Sequence, residues 1–419
     1  MGRRIMTKRF VAIFILLSFG LIIYKQFSSA KKLFSNASKV EFVNRSLKET
    51  LFIPISNMSH QITLAVVISL AKQPAHIAEF YLLYESWKYI QTFSPWSDDV
   101  QIDLIVFCEQ PSCFQLPVSC LPLSTQTHSN VINKCYYEEL KLELIYEWRD
   151  YLYMTSIAFM LTDEYRQAVR SYQWILRVDQ DAILSPALYL GLKRKHSTPL
   201  YKMQFGSVSH GTNFTHDRLK SIAAKLGYKH AGVHNLCSTW LVNPNDSIQL
   251  ANLTTRIGKH FMQNEFGKHV EGIEDLPDQG EWPKWWRGVI SLYAAEIAIN
   301  HFYFHKITRE HGTIALDHPS FSNTSMWLSW HIHSLHNPER FSKFKHRNEL
   351  NDFLDQMPEE RIAKMISLQN TQAVFKNISK EYDYFRKKKA RLGGTVTVRD
   401  YVTALAWQKA YSATGAINF

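Results

Sequence analysis

Three runs of apolar residues, each of strand length, set the frame of the chain. Gln61 to Ala71 (QITLAVVISLA), Gln101 to Cys108 (QIDLIVFC) and Tyr172 to Val178 (YQWILRV) are nearly continuous and rich in β-branched residues. Such runs suit strands buried on both faces, as in a parallel sheet, better than the alternation of a half-exposed strand. Between them, residues of about 75–91 and 136–161 have helical composition. Strand, helix, strand, helix, strand predicts an α/β domain with a mostly parallel sheet flanked by helices. Further on, 217–226, 246–266 and 285–301 predict helices. The segment from about Arg347 is helix-rich and contains a basic cluster, Arg386 to Arg391.

A fourth apolar run differs in kind. Phe10 to Tyr24 follows Arg3, Arg4, Lys8 and Arg9 and contains no charge. It is short against the roughly 20 residues a bilayer needs, but Lys25 can snorkel and extend the span to Phe27. The basic flank stays cytosolic, which makes the chain a single-pass type II protein of the Golgi or ER membrane. A cleaved signal peptide is the competing reading, because Ser28 and Ala30 form a small-x-small site. Asn-x-Ser/Thr sequons at Asn36, Asn44, Asn57, Asn213, Asn245, Asn252, Asn323 and Asn377 all follow the run. Chance would supply about two or three, so the remainder of the chain is read as lumenal and glycosylated. The expected layout is a cytosolic tail (1–9), a transmembrane signal-anchor (10–27), a stem (28–60), the α/β domain (61–345) and a helical extension (346–419).

Composition sharpens this in two places. A formal charge of +11 raises nucleic acid as a partner. Four of the positive residues precede the anchor, however, and five lie in Arg386 to Arg391, so no nucleic-acid partner is expected. Of five cysteines, Cys108, Cys113, Cys120 and Cys135 fall close together without a C-x-x-C pair. That argues against a zinc ribbon and for two local disulfides in an oxidising compartment. Sequence leaves the pairing open; Cys120 with Cys135 is the preferred bridge.

Several chemistries are excluded by missing motifs. No G-x-G occurs, and neither Gly258-Lys259 nor Gly267-Lys268 is followed by Ser or Thr, so dinucleotide and P-loop fingerprints are lacking. H-E-x-x-H and G-x-S-x-G are also absent. His301 and His305 stand four apart without an adjacent glutamate and read as ordinary helix residues. What remains is Asp179-Gln180-Asp181 at the end of a buried strand, where ligands gather in open α/β sheets. Two carboxylates flanking one residue can approach a divalent cation together. Hard oxygen ligands suit Mn²⁺ or Mg²⁺, whose remaining ligands are typically substrate phosphates. The plain alternative is that both aspartates cap a turn before Ser185-Pro186.

With the anchor-and-stem layout and the segment WILRVDQDAIL, the chain resembles the metal-dependent, nucleotide-sugar glycosyltransferases of the GT-A fold. It is similar more narrowly to an uncharacterised family of glycosyltransferase-like eukaryotic membrane proteins, a domain of unknown function. The segments that carry the narrower resemblance are RVDQDAIL, NLCSTWLV (Asn235 to Val242), EWPKWWRGVISLYAAEIAINH (Glu281 to His301) and HIHSLHNPERFSKF (His331 to Phe344). The resemblance spans about 61–345 and implies a GT-A-like, Rossmann-like domain. It implies transfer of a sugar from a nucleotide-sugar donor to a glycan, glycoprotein or glycolipid acceptor. Asp179 and Asp181 are then the metal and diphosphate ligands. Arg177 either meets the nucleotide or orients the aspartates, unless it merely pairs with a helix carboxylate. A late histidine, His331 or His333 with His333 preferred, would complete the metal site, and Lys343 would meet phosphate.

An inverting enzyme also needs a carboxylate base for the acceptor hydroxyl. Asp275, Asp278 and Glu281 precede a Trp-rich segment, and Glu296 lies four residues before Asn300 in an otherwise apolar helix. A carboxylate in such company needs a purpose, either catalysis or holding a loop by hydrogen bonds. Glu296 and Asp278 are the leading catalytic candidates. Trp240, Trp282, Trp285 and Trp286 are candidate acceptor-binding platforms, because flat rings stack on pyranose C–H faces, although some should prove to be core. The rival to the enzyme is a catalytically silent glycosyltransferase-like protein that binds glycans or acts as a scaffold.

Overall fold

The computed structural model describes residues 62–93, 100–125, 133–196, 203–207, 209–266, 280–311, 315–334, 368–388 and 393–413. The tail, the apolar run and the stem lie outside these residues. Among those described, no helix is long and apolar enough to cross a membrane.

The strands are β1 (Ile62–Leu70), β2 (Val100–Cys108), β3 (Cys120–Pro122), β4 (Cys135–Glu139), β5 (Trp174–Arg177), β6 (Ala182–Leu184), β7 (Gln204–Ser207), β8 (Leu236–Val242), β9 (His318–Pro319) and β10 (His331–His333). Seven form the central sheet in the order β3-β4-β2-β1-β5-β8-β7. The five from β3 to β5 run parallel, and β8 is antiparallel to both β5 and β7. A second, three-stranded sheet has the order β6-β10-β9. The expected α/β class, a mostly parallel sheet flanked by helices, is the one observed.

Among the described residues, helices of seven or more residues are α1 (Pro74–Gln91), α2 (Asp163–Val169), α3 (Ala187–His196), α4 (Asn213–Lys225), α5 (Pro244–His260), α6 (Ile290–Phe302), α7 (Leu368–Lys388) and α8 (Val398–Ala413). Their starts follow local chemistry. Pro74 and Pro244 open α1 and α5, where a missing N–H costs nothing. Asn243 caps α5 by accepting from the Asp246 N–H at 2.9 Å.

The continuous apolar strands are explained by a core on each face of the sheet. Alternate residues of β1 divide between them: Ala65 and Val67 pack with Trp240, Trp285 and Tyr293, while Leu64, Val66 and Ile68 pack with Phe80 and Leu83 of α1. A third cluster seats the C-terminal helices on the small sheet. Tyr401 of α8 donates to the Leu184 carbonyl at 2.7 Å, and Tyr382 of α7 donates to that of Phe93 at 3.2 Å. The helical extension therefore covers β6 and α1.

One expected element is corrected. Residues 136–161 were expected to be helical, but the stretch begins in β4; it continues as a short helix, Leu142–Glu147, and a contiguous run of 3-10 and α turns from Leu152 to Leu161. The sequence CYYEE has no strong strand pattern; main-chain pairing along β2 and β3 decides its state.

Disulfides join Cys108 to Cys113 and Cys120 to Cys135. The second couples the paired positions of β3 and β4 and closes a 15-residue separation. Replacing Cys120 and Cys135 together with Ser is expected to lower the unfolding free energy by about 3 kcal/mol, the chain-entropy contribution of such a loop. Urea denaturation under non-reducing conditions measures this, and an unchanged midpoint contradicts it.

Candidate functional site

From β1 the chain adds β2 and then the edge strand β3 on one side, inserts β4 between them, and returns to the other side of β1 as β5. That reversal is a topological switch point, and the crevice beyond the strand ends there is where open α/β sheets bind ligands. The Val178 N–H still donates to the Val67 carbonyl at 3.1 Å. Asp179, Gln180 and Asp181 then leave β5 as a turn, and Ala182 opens β6.

Three groups hold that turn. Arg177, wholly buried, donates from Nε and Nη2 to the Ser156 carbonyl at 3.1 and 2.8 Å. Its Nη2 also lies 2.7 Å from Asp179 Oδ1. The Arg177 guanidinium is thus enclosed between Ser156 and Asp179. Gln180 donates to Glu79 of α1 at 3.4 Å. Asp181 Oδ2 sits 3.0 Å from His333 Nε2.

The last contact joins residues 152 positions apart, and strand register brings them together. β6 and β10 pair antiparallel with Ala182 opposite His333, and the Ser334 N–H donates to the Asp181 carbonyl at 3.0 Å. Of the two late histidines, His333 is the one that reaches the acidic turn. His331 is buried, and its Nδ1 accepts from the Asp317 N–H at 3.0 Å.

Asp317 was not read from the sequence. Its Oδ1 accepts from Thr239 at 2.6 Å and lies 4.0 Å from His333 Nδ1. Burial pushes its carboxyl up, but His331, His333 and Thr239 outweigh this and hold it below the usual carboxylate range. A Cβ at Gly206 of β7 would overlap this carboxylate, so the strand passes it only as glycine. Asp317 has a left-handed backbone (φ 60°), a conformation that costs energy for a non-glycine residue and clusters at working sites.

Glu296 belongs to a second cluster. It is fully buried on α6, with Oε1 accepting from His234 Nδ1 and Oε2 from the Asn235 N–H, both at 2.7 Å. His210 Nε2 lies 2.8 Å from Oε2 and His230 Nε2 lies 3.5 Å from Oε1. Burial pushes the carboxyl up, yet the hydrogen bonds of His210, His230 and His234 prevail and hold it well below the usual range. One turn on, Asn300 donates to the Val233 carbonyl at 2.7 Å and accepts from its N–H at 3.1 Å. The expectation of Glu296 as an acceptor-facing base is corrected on this geometry: its oxygens face imidazoles and a backbone amide, and it holds the 229–235 loop. The sequence signal was available in His210, His216, His230 and His234, four imidazoles within 25 positions. What the sequence did not reveal was that α6 meets them.

The tryptophans divide by exposure. Trp240 and Trp285 are 0 % exposed, which corrects their expected role as acceptor platforms: neither presents a face to a sugar. Trp285 stacks on Tyr293 (4.8 Å, 5°) and Phe266 (5.0 Å, 17°). Trp282 and Trp286 are 53 % and 38 % exposed and keep an accessible ring. Glu281 is exposed beside them. Asp275, Asp278 and Lys343 lie outside the described residues.

Fold and site together define an α/β protein with an Asp-Gln-Asp turn at the carboxyl edge of its central sheet, at the switch point. The chain belongs to the family described as Domain of unknown function (DUF7164), whose model matches residues 58–419. No curated protein matches it in sequence. Solved structures similar to it include the galactosyltransferase LgtC in complex with donor and acceptor sugar analogues (9 % identity, TM-score 0.37, 71 % of this chain and 98 % of that one). Mouse xyloside xylosyltransferase 1 is similar at 10 % identity and TM-score 0.34 (62 % and 87 % covered). The bifunctional glycosyltransferase WbbM is similar at 10 % identity and TM-score 0.36 (72 % and 50 % covered).

Proposed function

We propose that the protein is a metal-dependent glycosyltransferase that moves a sugar from a nucleotide-sugar donor to a glycan or glycoconjugate acceptor. The observation that carries this reading is the approach of His333 to Asp181 on a turn that also bears Asp179, at the switch point of the sheet. The residues present fit a divalent cation. Asp181 and His333, 3.0 Å apart, can share one ion; Asp179, on the same turn but paired with Arg177, joins them only by swinging its partly exposed carboxylate across. When bound, Mn²⁺ or Mg²⁺ supplies positive charge against a departing diphosphate. Arg177 fixes Asp179, the β6–β10 pairing fixes Asp181 against His333, and Asp317 holds His331 beside them. Exposed Trp282 and Trp286 are the acceptor-facing rings, and Lys343 retains its proposed contact with phosphate.

The same reading makes the chain a type II protein of the Golgi or ER membrane, anchored through 10–27 with its α/β domain in the lumen. Two features support the lumen. Asn213, Asn245, Asn252, Asn323 and Asn377, sequon asparagines among the described residues, are all exposed, as glycosylation requires. Two disulfides belong to an oxidising compartment.

A panel of nucleotide sugars offered to the full-length protein in detergent, with and without Mn²⁺, tests the activity. Hydrolysis of at least one donor is expected, lost on chelation and restored by the metal. If no sugar nucleotide binds or turns over with any divalent metal, the enzyme reading falls and the glycan-binding or scaffolding alternative stands.

A further inference from the structure

The cluster around Glu296 is built from the side chains that zinc selects, and it is separate from the acidic turn. Its ligands come from three elements. His216 lies in the first turn of α4, His234 two residues before β8, and Glu296 at the middle of α6. One ring nitrogen of each imidazole and one Glu296 oxygen all fall within 4.8 Å of one another. Among the described residues this is the one set of three acidic, imidazole or thiol groups that converges so closely; the Asp179–Asp181–His333 set does not.

The surroundings are arranged for a cation as well. The His216 and His234 rings are stacked, 4.1 Å between centroids and 5° between planes, so one ring turns about its Cβ–Cγ bond to let both in-plane lone pairs meet one ion. Two imidazolium rings so placed would repel one another. Asn235 Oδ1 accepts from the His210 N–H at 3.2 Å and lies 3.2 Å from His216 Nε2. An amide oxygen has no proton to give, so His216 donates from Nε2 and the neutral ring keeps its lone pair at Nδ1. Metal-bound histidines are commonly oriented in this way, by a carbonyl on the other nitrogen. Asn235 adopts a left-handed backbone (φ 62°) to serve this bond while its N–H serves Glu296. A wholly buried carboxylate also needs a compensating positive charge. A borderline divalent ion held by neutral imidazoles satisfies all of these at once, whereas Mn²⁺ and Mg²⁺ prefer oxygen.

We propose that His216, His234 and Glu296 bind a structural Zn²⁺, with His210 or His230 in reach of the fourth position, and that the ion pins α4 and the 229–235 loop to α6. This site does not depend on donor-sugar chemistry and stands or falls without it.

The test is metal analysis of the full-length protein in detergent, by inductively coupled plasma mass spectrometry before and after chelator stripping and reloading with zinc alone. About one zinc per chain is expected. Reloading the stripped protein with Co²⁺ should give the visible d–d bands of a four- or five-coordinate nitrogen–oxygen site, a readout on the wild type that needs no variant. His216→Ala, on a half-buried side chain, and Glu296→Gln, which keeps the shape of the carboxylate, should each weaken zinc binding by about a hundredfold or more, beyond the loss seen for outer-shell partners. Asp181→Asn should leave zinc content unchanged. A stripped protein that takes up no zinc and gives no cobalt bands overturns the proposal. Zinc that follows Asp181 rather than His216 also overturns it.

Discussion

Asp181→Asn is expected to reduce nucleotide-sugar turnover by about a thousandfold, the scale on which loss of one preorganised charge-stabilising group acts. The substitution conserves size and leaves the Asp181 carbonyl free to accept from Ser334, so the β6–β10 pairing survives. What disappears is the negative charge beside His333, and with it the attraction for a divalent cation. The expected signature is therefore lost metal activation together with lost turnover, with an unchanged unfolding midpoint. Hydrolysis of the donor without acceptor is the assay, because it needs no knowledge of the glycan. Wild-type turnover from Asp181→Asn, with full Mn²⁺ dependence, would remove the acidic turn from the chemistry.

Asp179 makes a poorer probe for a physical reason. Its carboxylate faces Arg177, which is wholly enclosed and otherwise bonded to Ser156. Neutralising Asp179 strips a buried guanidinium of its counter-charge, so any loss of activity would mix lost metal binding with a shifted strand end. Asp181 instead faces His333, a 22 % exposed side chain rather than a wholly enclosed guanidinium, so its contrast with Asp179 separates the two effects.

The parts legible in the sequence share one property: their signals are local. β1, β2 and β5 were read within one or two residues because parallel strands covered on both faces need uninterrupted apolar runs. Asp179 and Asp181 followed from position, since the chain must turn where such a run stops. Other features depend on partners distant in sequence. β4 is a strand because β2 and β3 flank it, and its sequence CYYEE alone favours nothing. Glu296 announced itself as a carboxylate among apolar neighbours, yet its meaning lies in imidazoles at 210, 230 and 234, some 60 to 90 positions away. Asp317 gave no signal at all, because its place is set by Thr239, His331 and the missing side chain of Gly206. The C-terminal helices looked like an appendage and are instead packed on β6 and α1 through Tyr401 and Tyr382.

Trp240→Ala is expected to destabilise the domain by about 3–5 kcal/mol, the usual cost of emptying a large aromatic site in a core. Trp240 lies on β8 opposite Arg177 of β5 on one side and Phe205 of β7 on the other, at 0 % exposure. Its ring is part of the cluster that packs Ala65 and Val67 of β1 against α6, so the void would open under the strand that delivers the acidic turn. Trp286, 38 % exposed, is the matched control: Trp286→Ala should change stability by less than about 0.5 kcal/mol, as surface substitutions do. Urea denaturation of the two variants separates the roles that a tryptophan-rich sequence leaves merged. Donor hydrolysis measured below the unfolding transition then asks a second question of Trp240→Ala. Retained turnover in the surviving folded fraction makes the ring a support of β5, whereas a folded but inactive variant would mean that the core beneath the switch point sets the geometry of Asp179 and Asp181 directly. An unfolding midpoint indistinguishable from wild type would contradict the burial of Trp240 itself.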